Sequence, residues 1–201
     1  MIVPTLFPHR RTRCARCTRP TSACICRWIT PLASPVELLI LQHPMEVDNA
    51  KGSARLLHLS VAGSVLVAGE TFAPEHLHDL LYQGGRVPIL LYPDTPGQPS
   101  PAVPPSTPAR TLRLVIIDGT WRKSRKMLYL NPLLQTLARV PLGEVAPSGY
   151  RIRKAHAPDQ LSTLEAACLA LDQLEGGHRF DAVRDSFASF VERFITTQGK
   201  L

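Results

Sequence analysis

The chain has 201 residues, 44% of them apolar, and carries 23 Lys and Arg against 16 Asp and Glu, a formal net charge of +7. That length supports one well-buried domain with a small appendage and excludes two full domains, while the apolar content excludes a disordered basic tail. The longest apolar runs are strand-sized and the first residues lack a charged front and a long apolar core, so a cytoplasmic protein with no membrane partner is expected; a folded basic chain meets nucleic acid or another anionic surface.

Residues 1–30 carry Arg10, Arg11, Arg13, Arg16, Arg19 and Arg27 without a single acid, together with four of the five cysteines. Cytosolic thiols stay reduced and bind metals more readily than each other. Cys14-x2-Cys17-x6-Cys24-x-Cys26 offers four soft ligands within thirteen residues, enough to close a tetrahedral Zn²⁺ site and to order a segment too poor in apolar residues for its own core. Residues 1–30 are therefore expected as a small structural module facing nucleic acid, because four thiolate ligands leave no open coordination position. The alternative is four free thiols near a chain end. Cys168 shares helical spacing with Leu164, Ala167, Leu171 and Leu174 and is expected in the core.

From Val36 onward strand-like and helix-like segments alternate, which predicts an α/β sheet. The predicted strands are Val36–Leu41, Ser64–Ala68, Ile89–Tyr92, Leu112–Ile117 and a short one near Tyr150–Arg153. The predicted helices are Asn49–His58, Glu75–Gln83, Trp121–Leu130, Pro132–Val140, Ser162–Leu174 and Asp181–Thr197, the last with Val183, Phe187, Phe190, Val191 and Phe194 along one face. Eight prolines fall between Pro88 and Pro108, so about 93–109 reads as an extended surface loop. Ser162-x-x-Glu165 is a capping box for the helix it precedes. No Gly-x-Gly-x-x-Gly follows the first strand and there is no phosphate-binding P-loop, which disfavours a Rossmann cofactor site.

Asp118-Gly119-Thr120-Trp121 ends the apolar run 114–117 and precedes a basic helix. It places a carboxylate at the carboxyl end of a buried strand, where open α/β sheets bind ligands. Asp118 is the only acid between Thr95 and Gly143, among Arg110, Arg113, Arg122, Lys123, Arg125, Lys126 and Arg139. Taken alone, the acid serves equally as a functional group beside a polyanion or as the cap of the next helix, with Trp121 as ordinary core.

Several ordered blocks together carry a resemblance. They are the cysteine cluster, Leu41-Gln42-His43-Pro44-Met45-Glu46, Lys51-Gly52-Ser53-Ala54-Arg55-Leu56, Leu91-Tyr92-Pro93, Asp118-Gly119-Thr120-Trp121, Tyr150-Arg151-Ile152-Arg153-Lys154 and Leu161-Ser162-Thr163-Leu164-Glu165-Ala166. Over nearly its whole length the chain resembles the DTW-domain family, whose characterised members are tRNA-uridine aminocarboxypropyltransferases. The resemblance implies that 31–201 is a catalytic domain with a SPOUT-like sheet, helices on both faces and a knot around the cofactor. Periodicity alone gives a plain doubly wound sheet.

It further implies S-adenosyl-L-methionine as donor, structural zinc, and N3 of a tRNA uridine as acceptor. Asp118 is then the candidate base, or alternatively a cofactor ligand; Thr120 and Trp121 complete the catalytic turn. Leu91, Tyr92, Pro93, Asp118, Trp121, Leu161, Ser162, Thr163 and Glu165 are the expected cofactor residues. His43, Glu46, Ser53, Arg55, Arg122, Lys123, Arg125, Lys126, Tyr150, Arg151, Arg153 and Lys154 are expected at the RNA, although the four cations of 122–126 would also suit a solvated helix face. Two other readings remain: a SPOUT-like RNA methyltransferase, and a non-enzymatic zinc-containing RNA-binding protein in which Asp118 is a cap. Many SPOUT-class proteins dimerise, but a basic zinc module would let a monomer hold tRNA alone, so the monomer is the expectation.

Overall fold

The computed structural model describes residues 12–49, 51–94, 101, 107–142 and 161–198. In chain order the elements are β1 (Leu32–Ala33), β2 (Glu37–Gln42), α1 (Ala54–Ser60), β3 (Val61–Ala62), β4 (Val65–Ala68), α2 (Pro74–Tyr82), β5 (Val87–Leu91), β6 (Leu112–Asp118), α3 (Trp121–Leu130), α4 (Pro132–Gln135), β7 (Ala138–Arg139), α5 (Thr163–Glu175) and α6 (Asp181–Gln198). The main sheet runs β4-β2-β6-β5-β7 with every pairing parallel, and β1 and β3 form a small parallel pair beside it.

The central strands read as unbroken apolar runs because both of their faces are covered. Leu38, Ile40, Leu114 and Ile116 pack with Leu57 of α1, Leu171 of α5 and Phe187 of α6. Leu39, Leu41, Val115 and Ile117 point the other way, onto Leu77 of α2, Met127 of α3 and Leu134 of α4. From β2 the chain leaves through α1 to β4 on one side. From β6 it leaves through α3 and α4 to β7 on the other. The carboxyl ends of β2 and β6, where Gln42 pairs in register with Asp118, are therefore the topological switch point of the sheet.

Two expected helices are shorter than their periodicity suggested. The Asn49–His58 helix starts only at Ala54, because Gly52 N–H turns back to the Asn49 carbonyl and Asn49 Oδ1 takes Lys51 N–H. The Pro132–Val140 helix stops at Gln135, and Ala138–Arg139 extend the sheet against Ile89 and Leu90, with Val140 N–H donating to the Leu90 carbonyl. The strand expected near Tyr150–Arg153 lies outside the described residues.

The described part of the Cys-rich segment packs onto the main core. Cys17 and Ile25 are fully buried within the same apolar cluster as Leu56 and Phe190. Trp28 meets Phe190 edge-on at 5.2 Å, and the Arg19 guanidinium lies 5.8 Å from the same ring.

Candidate active site and metal centre

Asp118 ends β6 and is 6% exposed. Its Oδ2 accepts from Gln42 Nε2 at 2.9 Å and its Oδ1 from the Thr163 hydroxyl at 2.6 Å, while its carbonyl takes His43 N–H at 2.9 Å. One carboxylate thus ties the end of β2 to the start of α5. The helix behind it is capped by Thr120, whose Oγ1 accepts from Lys123 N–H at 3.4 Å, so Asp118 has no capping duty. Gly119 permits this tight turn: a Cβ there would stand 3.1 Å from Lys123 Cβ and 3.5 Å from Ser124 N.

The 43–53 segment forms a second wall. Glu46 is 7% exposed, with Oε1 on Lys123 Nζ at 2.8 Å and Oε2 on Asn49 Nδ2 at 2.7 Å. His43 is buried, and its Nδ1 accepts from Met45 N–H at 3.2 Å, which leaves Nε2 to donate to Glu70 Oε1 at 2.9 Å. Lys126 donates to the other Glu70 oxygen at 3.0 Å. Lys126 first, and His43 next, hold the Glu70 carboxyl below its ordinary range.

The third wall is the head of α5. Ser162 Oγ accepts from Glu165 N–H at 3.2 Å and Ser162 N–H donates to the Glu165 carboxylate at 2.8 Å, the reciprocal capping box. Leu164 N–H is taken by Ser53 Oγ at 3.3 Å, so α5 turns a side-chain hydroxyl, that of Thr163, onto Asp118. Between these walls is a cleft of about 50 Å³ lined by Glu46, Asn49, Gly52, Ser53, Asp118 and Thr163. Lys51 lines it as well, and with Glu46 held by Lys123 the carboxylate left to serve as a proton acceptor is Asp118.

On the outer side of the turn Trp121 is 48% exposed and meets Tyr92 edge-on at 5.9 Å. Arg139 lies 5.6 Å from the Tyr92 ring and donates to the Pro93 carbonyl at 2.5 Å, which fixes the β5 exit. The result is an aromatic edge at the carboxyl end of the sheet.

Cys14 and Cys26 sulfurs lie 3.6 Å apart, Cys17 and Cys24 sulfurs 3.8 Å, and all four within 4.8 Å of one another. Tetrahedral zinc at about 2.3 Å from each sulfur requires S–S separations of about 3.8 Å, so the cluster can hold a metal ion. N–H groups of Cys17 and Arg16 bring the Cys14 thiol down to about 6. Burial pushes Cys26 up to about 12, a cost that coordination removes because a metal-bound thiol is deprotonated. Asp172, His178 and Asp181 also converge, but Arg184 pairs with both carboxylates and supplies their positive partner.

The profile of the DTW domain matches residues 11–195. The chain belongs to the DTW family. Over 174 residues it is 34% identical to tRNA-uridine aminocarboxypropyltransferase 2 of Drosophila melanogaster, covering 84% of this chain and 68% of that protein. The mouse protein of the same name is 29% identical over 86% of this chain and 60% of its own length. Arabidopsis thaliana tRNA-uridine aminocarboxypropyltransferase A is 26% identical over 83% and 74%. The chain thus spans about 60–74% of the length of these relatives. No solved structure matches it.

In this DTW-domain protein the switch point gathers Asp118, Thr120, Trp121, His43, Glu46, Ser53, Lys123, Ser162, Thr163 and Glu165. Leu91, Tyr92 and Pro93 follow at the end of β5. Leu161 is half-buried just ahead of the α5 cap. Arg122, Arg125 and Lys126 stand exposed along α3 with Tyr129, whereas Lys123 is drawn onto Glu46. Arg55 sits on the first turn of α1. Arg113, counted among the basic neighbours of Asp118, lies at the opposite end of the sheet and binds Glu37. Tyr150, Arg151, Arg153 and Lys154 lie outside the described residues.

Sequence reasoning assigned no role to Gln42, Asn49, Glu70 or Arg139. Gln42 carried a usable signal, as a polar residue closing the apolar run Leu38–Leu41. The others depend on contacts between segments remote in sequence.

Proposed function

We propose that this protein transfers the 3-amino-3-carboxypropyl group of S-adenosyl-L-methionine to N3 of a uridine in tRNA, releasing methylthioadenosine. The relatives' names state this activity for those proteins. The observation that carries it to this chain is the buried Asp118 carboxylate at the switch point, relieved of capping by Thr120 and held on both oxygens by Gln42 and Thr163.

In this reaction the N3–C bond forms at the γ-carbon of the methionine arm while the C–S bond breaks and its electron pair leaves on sulfur. The N3 proton must go to a base, and Asp118 accepts it. Gln42 and Thr163 fix the direction of the carboxylate and so where N3 is held as it loses its proton, while the orientation of the donor decides whether the methyl or the γ-carbon meets N3. Trp121 and Tyr92, with Leu91 and Pro93, offer an apolar edge for the donor's adenine, and Leu161, Ser162, Thr163 and Glu165 border its methionine arm. Thr120 keeps the turn rigid.

The exposed cations of α3 and Arg55, with His43, Glu46, Ser53 and Lys123 near the cleft, face the RNA. Zn²⁺ fits Cys14, Cys17, Cys24 and Cys26 as a closed structural site whose chemistry is to order the arginine-bearing loop. A SPOUT-like sheet is supported by the all-parallel order and the switch point. Among the described residues no helix is long and apolar enough to cross a membrane, and a cytoplasmic location is proposed, in keeping with four cysteines placed to hold a metal.

Incubating the protein with tRNA and S-adenosyl-L-methionine decides among the readings. Methylthioadenosine is the expected product. S-adenosylhomocysteine would instead mean methyl transfer, and no consumption would mean a binding protein.

A further inference from the structure

A cleft of about 280 Å³ lies away from Asp118, between the cysteine loop and the segment 47–55. Its lining is mixed, with Thr18, Ser22 and Asp48 beside apolar and cationic groups. Pro20, Ala23 and the exposed Val47 are apolar, and Arg19 and Arg55 are cationic. Arg19 is held in place, its Nη2 donating to the Gly52 carbonyl at 2.8 Å and to the Asn49 carbonyl at 3.3 Å. Thr18, at φ 59°, turns the loop so that this reach is possible. Arg55 has no carboxylate partner among the described residues, and the one acid on the wall, Asp48, is paired with Arg13 at 3.0 Å.

We propose that this cleft is an RNA subsite that takes one single-stranded ribonucleotide flanking the target uridine, its base on Val47 and Ala23 and its phosphate on Arg55 and Arg19. An apolar floor rimmed by guanidinium groups matches the two halves of a nucleotide and accepts any base. The 46–55 segment gives the cleft its place in the reaction. Its Glu46, Asn49, Gly52 and Ser53 line the Asp118 cleft, while its Val47, Asp48 and Arg55 line this one. An RNA strand crossing that segment occupies both clefts with neighbouring nucleotides. The subsite rests on the proposed activity for its substrate and supplies the second anchor that presents a uridine to Asp118.

The test is anisotropy of a labelled single-stranded pentauridylate against the full chain, beside calorimetry with S-adenosyl-L-methionine alone. Arg55→Ala is expected to weaken the oligonucleotide about tenfold and to reduce its salt slope by about 0.7, leaving S-adenosyl-L-methionine affinity within about twofold. Arg55→Lys should restore most of the loss. Ser22→Glu, on an exposed position of the same wall, should weaken the oligonucleotide too and guards against a folding defect in the helix variant. Unchanged oligonucleotide affinity and slope in both variants overturns the subsite, and a matching loss of S-adenosyl-L-methionine affinity reassigns the cleft to the donor. Failure of the wild-type protein to consume S-adenosyl-L-methionine with tRNA would sink the activity and leave these binding outcomes readable on their own.

Discussion

Asp118 has both carboxylate oxygens engaged by uncharged side chains, Gln42 at one and Thr163 at the other. A carboxylate so held keeps its direction, as a proton acceptor requires. Asp118→Asn should therefore retain S-adenosyl-L-methionine affinity within about threefold and lose about 10²-fold or more in turnover; parallel calorimetry and product assays read the two effects, and equal losses would make Asp118 a donor ligand. Thr163→Val removes one of the two donors at constant shape and should cost about 2 kcal/mol in urea unfolding, the range for a hydrogen bond to a charged group. The position of Asp118 at a strand end was legible in the sequence, because an acid after a β-branched run in a basic segment stands out. Its partners were not: Gln42 and Thr163 are 76 and 45 residues away in the chain, and only sheet register and the return of α5 bring them in.

Among the elements, α3 is tied to its surroundings by two acids from different segments, Glu46 to Lys123 and Glu70 to Lys126. Because Glu70 titrates below its usual 4.5, its contribution to stability is complete above that pH and disappears as pH falls through the lower folded value. Glu70→Gln should accordingly flatten the acid limb of the stability profile below about pH 4.5, measured as urea midpoint against pH. An unaltered limb would leave the Lys126 and His43 contacts without energetic weight. At α5, Ser162→Ala breaks the capping box and should cost about 1 kcal/mol, seen as a melting point lower by a few degrees. The head of α5 was readable in advance from Ser162 and Glu165, since caps are local chemistry, whereas at α3 the sequence offered Asp118 as the cap and the structure gives that duty to Thr120. The two-residue strands β1, β3 and β7 were not, because so short a segment carries no period, and Ala138–Arg139 became strand only through pairing with β5.

For the molecule as a whole, the cysteine loop and the sheet share one core. Cys17 and Ile25 are buried in the cluster that holds α1 and α6, and Arg19 reaches across to the 49–52 turn beside the Asp118 cleft. The sequence marked this segment as separate because its composition changes abruptly near residue 30, but composition does not report where Ile25 and Trp28 find their partners. A bound zinc would then add its binding energy to the stability of the entire fold and not to an appendage alone. Replacing Cys14 and Cys17 by Ser should release one zinc per chain and shift a single cooperative melting transition downward, because the core loses the loop that closes it. Two transitions, with the main one unmoved, would mean that the loop folds independently of the sheet. The same variant should lose more affinity for tRNA than for S-adenosyl-L-methionine, since it scatters Arg13, Arg16 and Arg19 while the Asp118, Gln42 and Thr163 contacts lie on the sheet and α5. Metal analysis finding no zinc in the wild-type protein would remove the basis for both effects.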